Sequence, residues 1–208
     1  MIEPLTAATD VMVAAAGVTF AVRIHRHTSD KAARLVAGSL AAASVAALAG
    51  AAYHMARSSA MWKVSAIPVG VASYLFGQAI ALAYCSTLGR RVAQGVLLIQ
   101  FLVYVICVAL SDDFRIVIAD YATVMVAILV VCLFHLSDAP AKWIAAGVAI
   151  SFIAAAVQVS SIRIGPLNHN DIYHVIELGG LYCWYRGGRQ LRSTVSAAAQ
   201  LHGVPPVL

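Results

Sequence analysis

Three histidines in apolar stretches of the chain have the residue type and position to bind a metal ion. His54 ends one apolar stretch, and His169 and His174 begin another near the far end of the chain. Imidazole groups are costly inside hydrocarbon, so they indicate a metal site, a relay or a water-filled cavity. Three histidines also satisfy the ligand count of a catalytic zinc site, which keeps its fourth position for water.

Two acidic residues lie close in sequence to His169 and His174. Asp171 precedes His174 by three residues, and Glu177 follows His174 by three, so a helix would place His174 and Glu177 on one face. Zinc accepts carboxylate as well as imidazole, and Asp171 is therefore an alternative to His169 as a third ligand. Asp171 or Glu177 could act as the general base. Simpler structural roles exist, because Asn170 or Asp171 could cap the helix. His174 and Glu177 could equally form a buried hydrogen-bonded pair.

The composition is that of an integral membrane protein. Hydrophobic residues make up 62% of the 208 residues and charged residues only 11%, whereas soluble domains carry roughly 25% charged residues. Seven apolar stretches approach the roughly 20 residues that a helix needs to cross a hydrocarbon core. We therefore predict an all-α bundle of seven transmembrane helices, with spans over 5–22, 35–56, 61–87, 92–110, 114–136, 143–161 and 167–185.

The basic residues predict the orientation of this bundle. With the N-terminus outside, ten Lys and Arg residues fall in cytoplasmic loops and the C-terminal tail, and four fall in outer loops. Basic loops stay on the cytoplasmic side, so we expect the N-terminus outside and the C-terminus in the cytoplasm. The net charge of +5 is then a topology signal, and no nucleic-acid partner is predicted.

The domain organisation follows from the short connections between the spans. We expect one seven-helix domain over 1–190 and a polar cytoplasmic tail over 191–208. The first apolar stretch has no basic segment before it, so we expect it to remain as a span and not to be removed as a signal peptide. We predict a multi-pass protein of the cell (inner) membrane.

The predicted orientation brings the histidines to one level of the membrane. His54 closes the second span on the outer side, and His169 and His174 open the seventh span on the same side. Asp10 lies near the outer end of the first span and is expected to reach water, which requires no functional role. The three histidines are thus predicted to form an outer polar cluster.

Two short motifs resemble those of a known superfamily of membrane proteins. Gly50-x-x-x-His54 in the second span and the segment 170–174, which ends in His174, look like motifs of the alkaline ceramidases and the progestin and adiponectin receptors. In that superfamily, Ser-x-x-x-His on the second helix and His-x-x-x-His on the seventh hold a zinc ion that activates water against a lipid amide. The resemblance implies that His54 and His174 are zinc ligands.

Three positions depart from the pattern of that superfamily. Gly50 replaces the serine, Asn170 replaces the first histidine of the seventh helix, and Lys63 stands where an aspartate of the third helix is expected. His169 precedes Asn170 by one residue and points about 100° away on a regular helix. The third ligand therefore stays open between His169 and Asp171.

These observations predict a zinc-dependent membrane hydrolase that acts on a lipid-like amide or ester, with membrane lipid as its environment and partner. The alternative is a non-catalytic membrane protein, such as a small-ligand transporter, a receptor or a structural subunit, that uses the same polar pocket. Haem held by two histidines is a third possibility of lower rank. A retinal pigment is disfavoured because the seventh span has no lysine for a Schiff base.

Overall fold

All regular structure in the described chain is helical. The computed structural model describes residues 3–56 and 58–194, and the only extended pairing within them is an isolated bridge between Ile164 and Leu167. This agrees with the predicted all-α class. The helices, in chain order, are α1 (Pro4–His27), α2 (Lys31–Ala56), α3 (Ser59–Tyr84), α4 (Thr87–Leu110), α5 (Phe114–Phe134), α6 (Ala139–Gln158) and α7 (His169–Gly188).

Six of these helices, α1 to α6, are long and apolar enough to cross a membrane, as a multi-pass membrane protein requires. Helix α7 has 20 residues but is not among the six, because it contains Asp171, Glu177 and Arg186. Asp171 and Glu177 are both buried, so their carboxylates face protein and not the surface of the bundle. The two acidic side chains of α7 thus face the interior of the bundle.

The helix ends differ from the apolar stretches because polar residues extend or cap the helices. Helix α1 continues to His27 and α2 begins at Lys31, beyond the hydrophobic segments on either side. The predicted span 61–87 is too long at its C-terminal end. Ser86 accepts a hydrogen bond from a backbone N–H of the next turn and caps α4, so Thr87 begins a new helix. Hydropathy does not register such a cap.

Six helices form a closed ring around the interior of the bundle. Neighbour contacts join α1 to α2, α2 to α3, α3 to α5, α5 to α6, α6 to α7 and α7 back to α1. In the described part of the chain, α4 contacts only α3 and α5 and lies outside this ring. Its exposed side chains are mainly large and apolar, as contact with lipid requires.

Glycines bring α6 and α7 close together. A Cβ atom at Gly147 would collide with the indole of Trp184 and would lie 3.0 Å from the carbonyl oxygen of Gly180. Small residues allow membrane helices to approach in this way. The close approach also brings Ser151 of α6 beside Glu177 of α7.

The segment after α7 is attached to the bundle over its first residues. Leu191 is 1% exposed, and the backbone N–H of Ser193 donates to the buried carboxylate of Asp30 at 3.1 Å. The first residues of the predicted tail 191–208 therefore pack on the helices. The remainder of that tail, 195–208, lies outside the described residues.

Candidate functional site

The centre of the site is a buried carboxylate between two histidines. Oδ1 of Asp10 lies 3.2 Å from Nε2 of His174, and Oδ2 lies 3.8 Å from Nε2 of His54. The prediction that Asp10 reaches water is wrong. Asp10 shares a face of α1 with buried Thr6 and Val13, and that face turns towards the interior of the ring. The three side chains, from α1, α2 and α7, are called the Asp–His cluster below.

Hydrogen bonds from α1 fix the ring of His174. Its Nδ1 lies 2.8 Å from Oγ1 of Thr9. When Thr9 donates its only hydroxyl hydrogen to the carbonyl oxygen of Thr6 at 2.9 Å, Oγ1 accepts from the imidazole, and the lone pair of Nε2 of a neutral His174 faces Asp10. When Thr9 donates to Nδ1 instead, the ring hydrogen lies on Nε2 and is directed at Oδ1 of Asp10.

The carboxylate of Glu3 holds the ring of His54 through its Nδ1. Oε2 of Glu3 lies 2.8 Å from Nδ1 of His54, and a carboxylate can only accept this hydrogen bond from the ring. The backbone N–H of Glu3 also donates to the carbonyl oxygen of His54 at 3.3 Å. In a neutral His54 the lone pair of Nε2 therefore faces Asp10 as well.

With both Nε2 lone pairs directed at Asp10, the cluster needs a proton or a cation between these groups. Two imidazole lone pairs then face one carboxylate, and acceptors packed together in a buried site are stable only with a proton or a metal ion among them. Oδ2 of Asp10 is also buried without a hydrogen-bond partner among the described residues. Both histidines carry their Nδ1 partner, as zinc-bound histidines almost always do.

The donor set of the Asp–His cluster fits zinc, which accepts two imidazole nitrogens and a carboxylate oxygen. The distances around Asp10 are nevertheless those of hydrogen bonds and ion pairs. In the described ranges, no group of three or more His, Cys, Asp and Glu side chains has the arrangement of a formed metal site. The fit therefore rests on the donor chemistry and on the unpartnered oxygen of Asp10.

A glycine on α2 provides the space for the Asp10 carboxylate. A Cβ atom at Gly50 would lie 3.3 Å from Oδ2 and 3.4 Å from Oδ1 of Asp10. Gly50 lies one helical turn before His54, at the position where the resembling superfamily has serine. The carboxylate from α1 occupies this space instead. The replacement of serine by glycine is a sequence signal that could have indicated space for another side chain beside His54.

The structure does not bring Asp171 and His169 into the Asp–His cluster. Asp171 accepts from Oγ1 of Thr6 at 2.7 Å and from the backbone N–H of Asn168 at 2.8 Å, so both of its carboxylate oxygens have partners. Asn168, not Asn170 or Asp171, is the N-cap of α7, and Asp171 completes the capping box. His169 is the first residue of α7 and does not line the interior cavity described next.

The Asp–His cluster lies at the wall of a cavity of about 350 Å³ inside the ring. Every ring helix contributes lining residues, and among the described residues α4 contributes none. Much of the remaining wall is apolar. Its larger apolar side chains include Leu40, Val69, Phe76, Phe114, Val117, Ile118, Met125, Phe152, Leu181 and Trp184.

Glu177 adds a further carboxylate to the cavity wall, near His174 on the same helix. Its Oε1 accepts a hydrogen bond from Oγ of Ser151 at 3.0 Å. Its Oε2 is buried and has no hydrogen-bond partner among the described residues. Glu177 therefore retains one carboxylate oxygen that can take up a proton. Of the two predicted general bases, Glu177 lines the cavity and Asp171 does not.

Lys63 is directed towards α4 and does not join the cluster. Its Nζ donates to the carbonyl oxygen of Ala109 at 2.9 Å and lies 3.7 Å from Asp112. Nearby, the Arg115 guanidinium donates hydrogen bonds to the exposed Asp113 and lowers the pKa of that carboxyl. These ionic groups lie at the α4–α5 connection, apart from the Asp–His cluster, and Asp10 is the carboxylate between its two histidines.

The comparisons with known proteins identify the family but not an activity. A model of a family of unknown function, DUF6962, matches residues 5–193. No curated protein and no solved structure matches the chain. The matched range contains Asp10, His54 and His174 together with helices α2 to α7. The chain therefore belongs to the family of unknown function DUF6962.

Proposed function

We propose that the chain is a zinc-dependent membrane hydrolase whose metal ligands are Asp10, His54 and His174. One observation carries this proposal: two imidazole Nε2 atoms face the two oxygens of a single buried carboxylate at 3.2 and 3.8 Å, and the Nδ1 atom of each ring has a hydrogen-bond partner of its own. A divalent cation supplies the missing positive charge. Zinc accepts this donor set and leaves a position for water and substrate.

The residues around the ligands hold them in orientation. Glu3 and Thr9 fix the two imidazole rings through Nδ1, as outer-shell groups do at zinc sites. The capping box at Asn168 and Asp171 fixes the start of α7, which carries His174. This gives Asp171 a positioning role, and Asp10 replaces Asp171 and His169 as the proposed third ligand.

The proposed reaction is hydrolysis of a lipid-like amide or ester. A zinc ion held by Asp10, His54 and His174 would polarise the substrate carbonyl and activate water. Glu177 accepts a proton from the attacking water at Oε2 while Ser151 holds Oε1. Glu177 then returns the proton to the departing amine nitrogen or alcohol oxygen as the bond to the carbonyl carbon breaks. The products are a carboxylic acid and the amine or alcohol.

The cavity supports an amphiphilic substrate. Its apolar wall suits an acyl chain, and the Asp–His cluster and Glu177 suit the carbonyl group. With the N-terminus outside and seven spans, the cluster lies at the outer end of the bundle and substrate enters from the outer leaflet of the cell membrane. The distribution of basic residues supports this orientation.

Metal analysis of the purified protein tests the proposal directly. We expect about one zinc ion per chain in the wild type and a large loss in His54→Ala, His174→Ala and Asp10→Asn. His135→Ala is the matched control, because His135 bonds the backbone of its own helix end and lies outside the cavity lining. Metal-free wild-type protein, or equal loss in the control, contradicts the proposal.

A second candidate function is binding of an amphiphile without turnover. The observation in its favour is that the cluster residues stand at hydrogen-bond and ion-pair distances in a largely apolar cavity. A binder would gain thermal stability with a lipid amide or ester and release no product. Product release by the wild type and not by Glu177→Gln would establish hydrolysis instead.

A further inference from the structure

A basic pocket lies at the end of the bundle opposite the Asp–His cluster. It has a volume of about 420 Å³ and is formed between the C-terminal ends of α1 and α7. Its cationic residues are Arg23 on α1 together with Arg186 and Arg189 at the end of α7, and His27 adds an imidazole. Three guanidinium groups that line one pocket form a strong anion-binding environment.

Aromatic side chains hold two of these guanidinium groups without neutralising them. Cζ of Arg186 lies 4.6 Å from the centre of the Trp143 ring, and its Nη1 donates to the hydroxyl of Tyr182 at 2.9 Å. Nη1 of Arg189 donates to the hydroxyl of Tyr185 at 3.0 Å. Cation–π contacts and phenol acceptors orient an arginine but leave its full positive charge and its other N–H donors.

No Asp or Glu carboxylate in the described part of the chain balances this charge. All nine Asp and Glu residues lie in the described ranges, and none of them forms an ion pair there with Arg23, Arg186 or Arg189. The pocket is therefore ready to take an anion from outside the chain. Trp143 and Tyr182 beside it are residue types that gather at the headgroup level of a bilayer.

We propose that the basic pocket binds the phosphate headgroup of an anionic phospholipid in the adjacent leaflet. The guanidinium groups bind the phosphodiester oxygens, and the acyl chains lie along the apolar surfaces of α1 and α7. Basic pockets between membrane helices recognise anionic headgroups in this way. The inference does not depend on the proposed hydrolysis, because the basic pocket and the Asp–His cluster lie at opposite ends of α1 and α7.

The test measures binding of a fluorescent phosphatidylglycerol to the purified full-length protein in neutral detergent micelles. Arg23→Gln/Arg189→Gln should weaken binding at least about ten-fold, because each arginine contributes a charged hydrogen bond. Arg90→Gln/Arg91→Gln removes the same charge from the first turn of α4, outside the basic pocket, and should change binding less than about two-fold. Arg23→Gln alone alters an exposed side chain and leaves the contact of Arg189 with Tyr185 intact.

Three results would overturn the proposal. Equal weakening by the Arg90/Arg91 control would reduce the effect to general surface charge. Equal binding of phosphatidylcholine would remove the requirement for an anionic headgroup. Full displacement of the lipid by inorganic phosphate at millimolar concentration would identify a free anion as the ligand, because acyl chains that contact the protein give a lipid an advantage that phosphate lacks.

Discussion

Thr9 and His174 are 165 residues apart in the sequence, and Oγ1 of one lies 2.8 Å from Nδ1 of the other. The first helix therefore helps to orient an imidazole on the last helix. This contact and the carboxylate of Asp10 come from consecutive positions of α1. Helix α1 thus supplies both the central carboxylate and one of the groups that orient its partners.

Thr9→Val removes the hydroxyl while keeping nearly the same shape. Without this hydrogen-bond partner, the His174 ring is held less firmly in orientation, and we expect zinc affinity to fall about 10- to 100-fold. Competition with a fluorescent chelator measures this change. Thr19→Val is the matched control, since Thr19 lies on the same helix, is exposed and bonds only the backbone of its own helix at Ala15. Unchanged affinity in Thr9→Val would argue against a positioning role.

Gly50→Ala should disturb the site more than the fold. The new methyl group would lie 3.3 Å from Oδ2 of Asp10 and force the carboxylate to move by a few tenths of an ångström. We expect about ten-fold weaker zinc binding, whereas Ala in a helix is up to about 1 kcal/mol more favourable than Gly. Gly95→Ala has no atom within 4 Å of the new Cβ and should leave zinc binding unchanged. Chelator competition and thermal unfolding of both variants separate the two effects.

Glu177→Gln should abolish turnover without releasing the metal. The amide oxygen can still accept from Ser151, but the side chain can no longer take up a proton. Loss of a general base reduces the rate by about 10²- to 10⁴-fold. Asp120→Asn is the control, because Asp120 is a buried acid that bonds Gln100 and lies outside the cavity lining. Hydrolysis of a fluorogenic lipid ester, with zinc content measured in parallel, decides the result. Full activity of Glu177→Gln would remove Glu177 from the mechanism.

Gly147→Ala should destabilise the bundle at the α6–α7 contact. The added methyl group collides with the Trp184 indole, and overpacking of this kind costs about 1–3 kcal/mol. Gly179→Ala is the matched control on α7, where the nearest atom to a new Cβ is 3.7 Å away on Ile150. Thermal unfolding in detergent, followed by tryptophan fluorescence, should show a lower Tm for Gly147→Ala alone. Equal Tm values would mean that the two helices can separate at little cost.

The helices could be predicted from the sequence because hydrocarbon imposes a minimum length on each apolar segment. All seven predicted segments correspond to helices, and six of them satisfy the length and composition of a membrane span. The ends could not be predicted in the same way. Caps such as Ser86 and Asn168 depend on local side-chain hydrogen bonds, which contribute nothing to hydropathy.

The site could be predicted only in part. The depth of His54 and His174 followed from the predicted orientation, and the structure brings both to Asp10. Asp10 itself resembled an interfacial acid that reaches water, because hydropathy does not say which face of a helix turns inward. His169 failed to join the cluster for the same reason, since it lies five residues before His174 and on a different face of α7.

The closure of the ring by α1 and α7 also determines when the site forms during synthesis. Thr6 and Asp171, like Thr9 and His174, join the first helix to the last across 165 residues. A ribosome that has released only the first six helices into the membrane has therefore made Asp10 and His54 but not their partner His174. The Asp–His cluster remains incomplete until the final helix docks, so a prematurely terminated product lacks one of its three side chains.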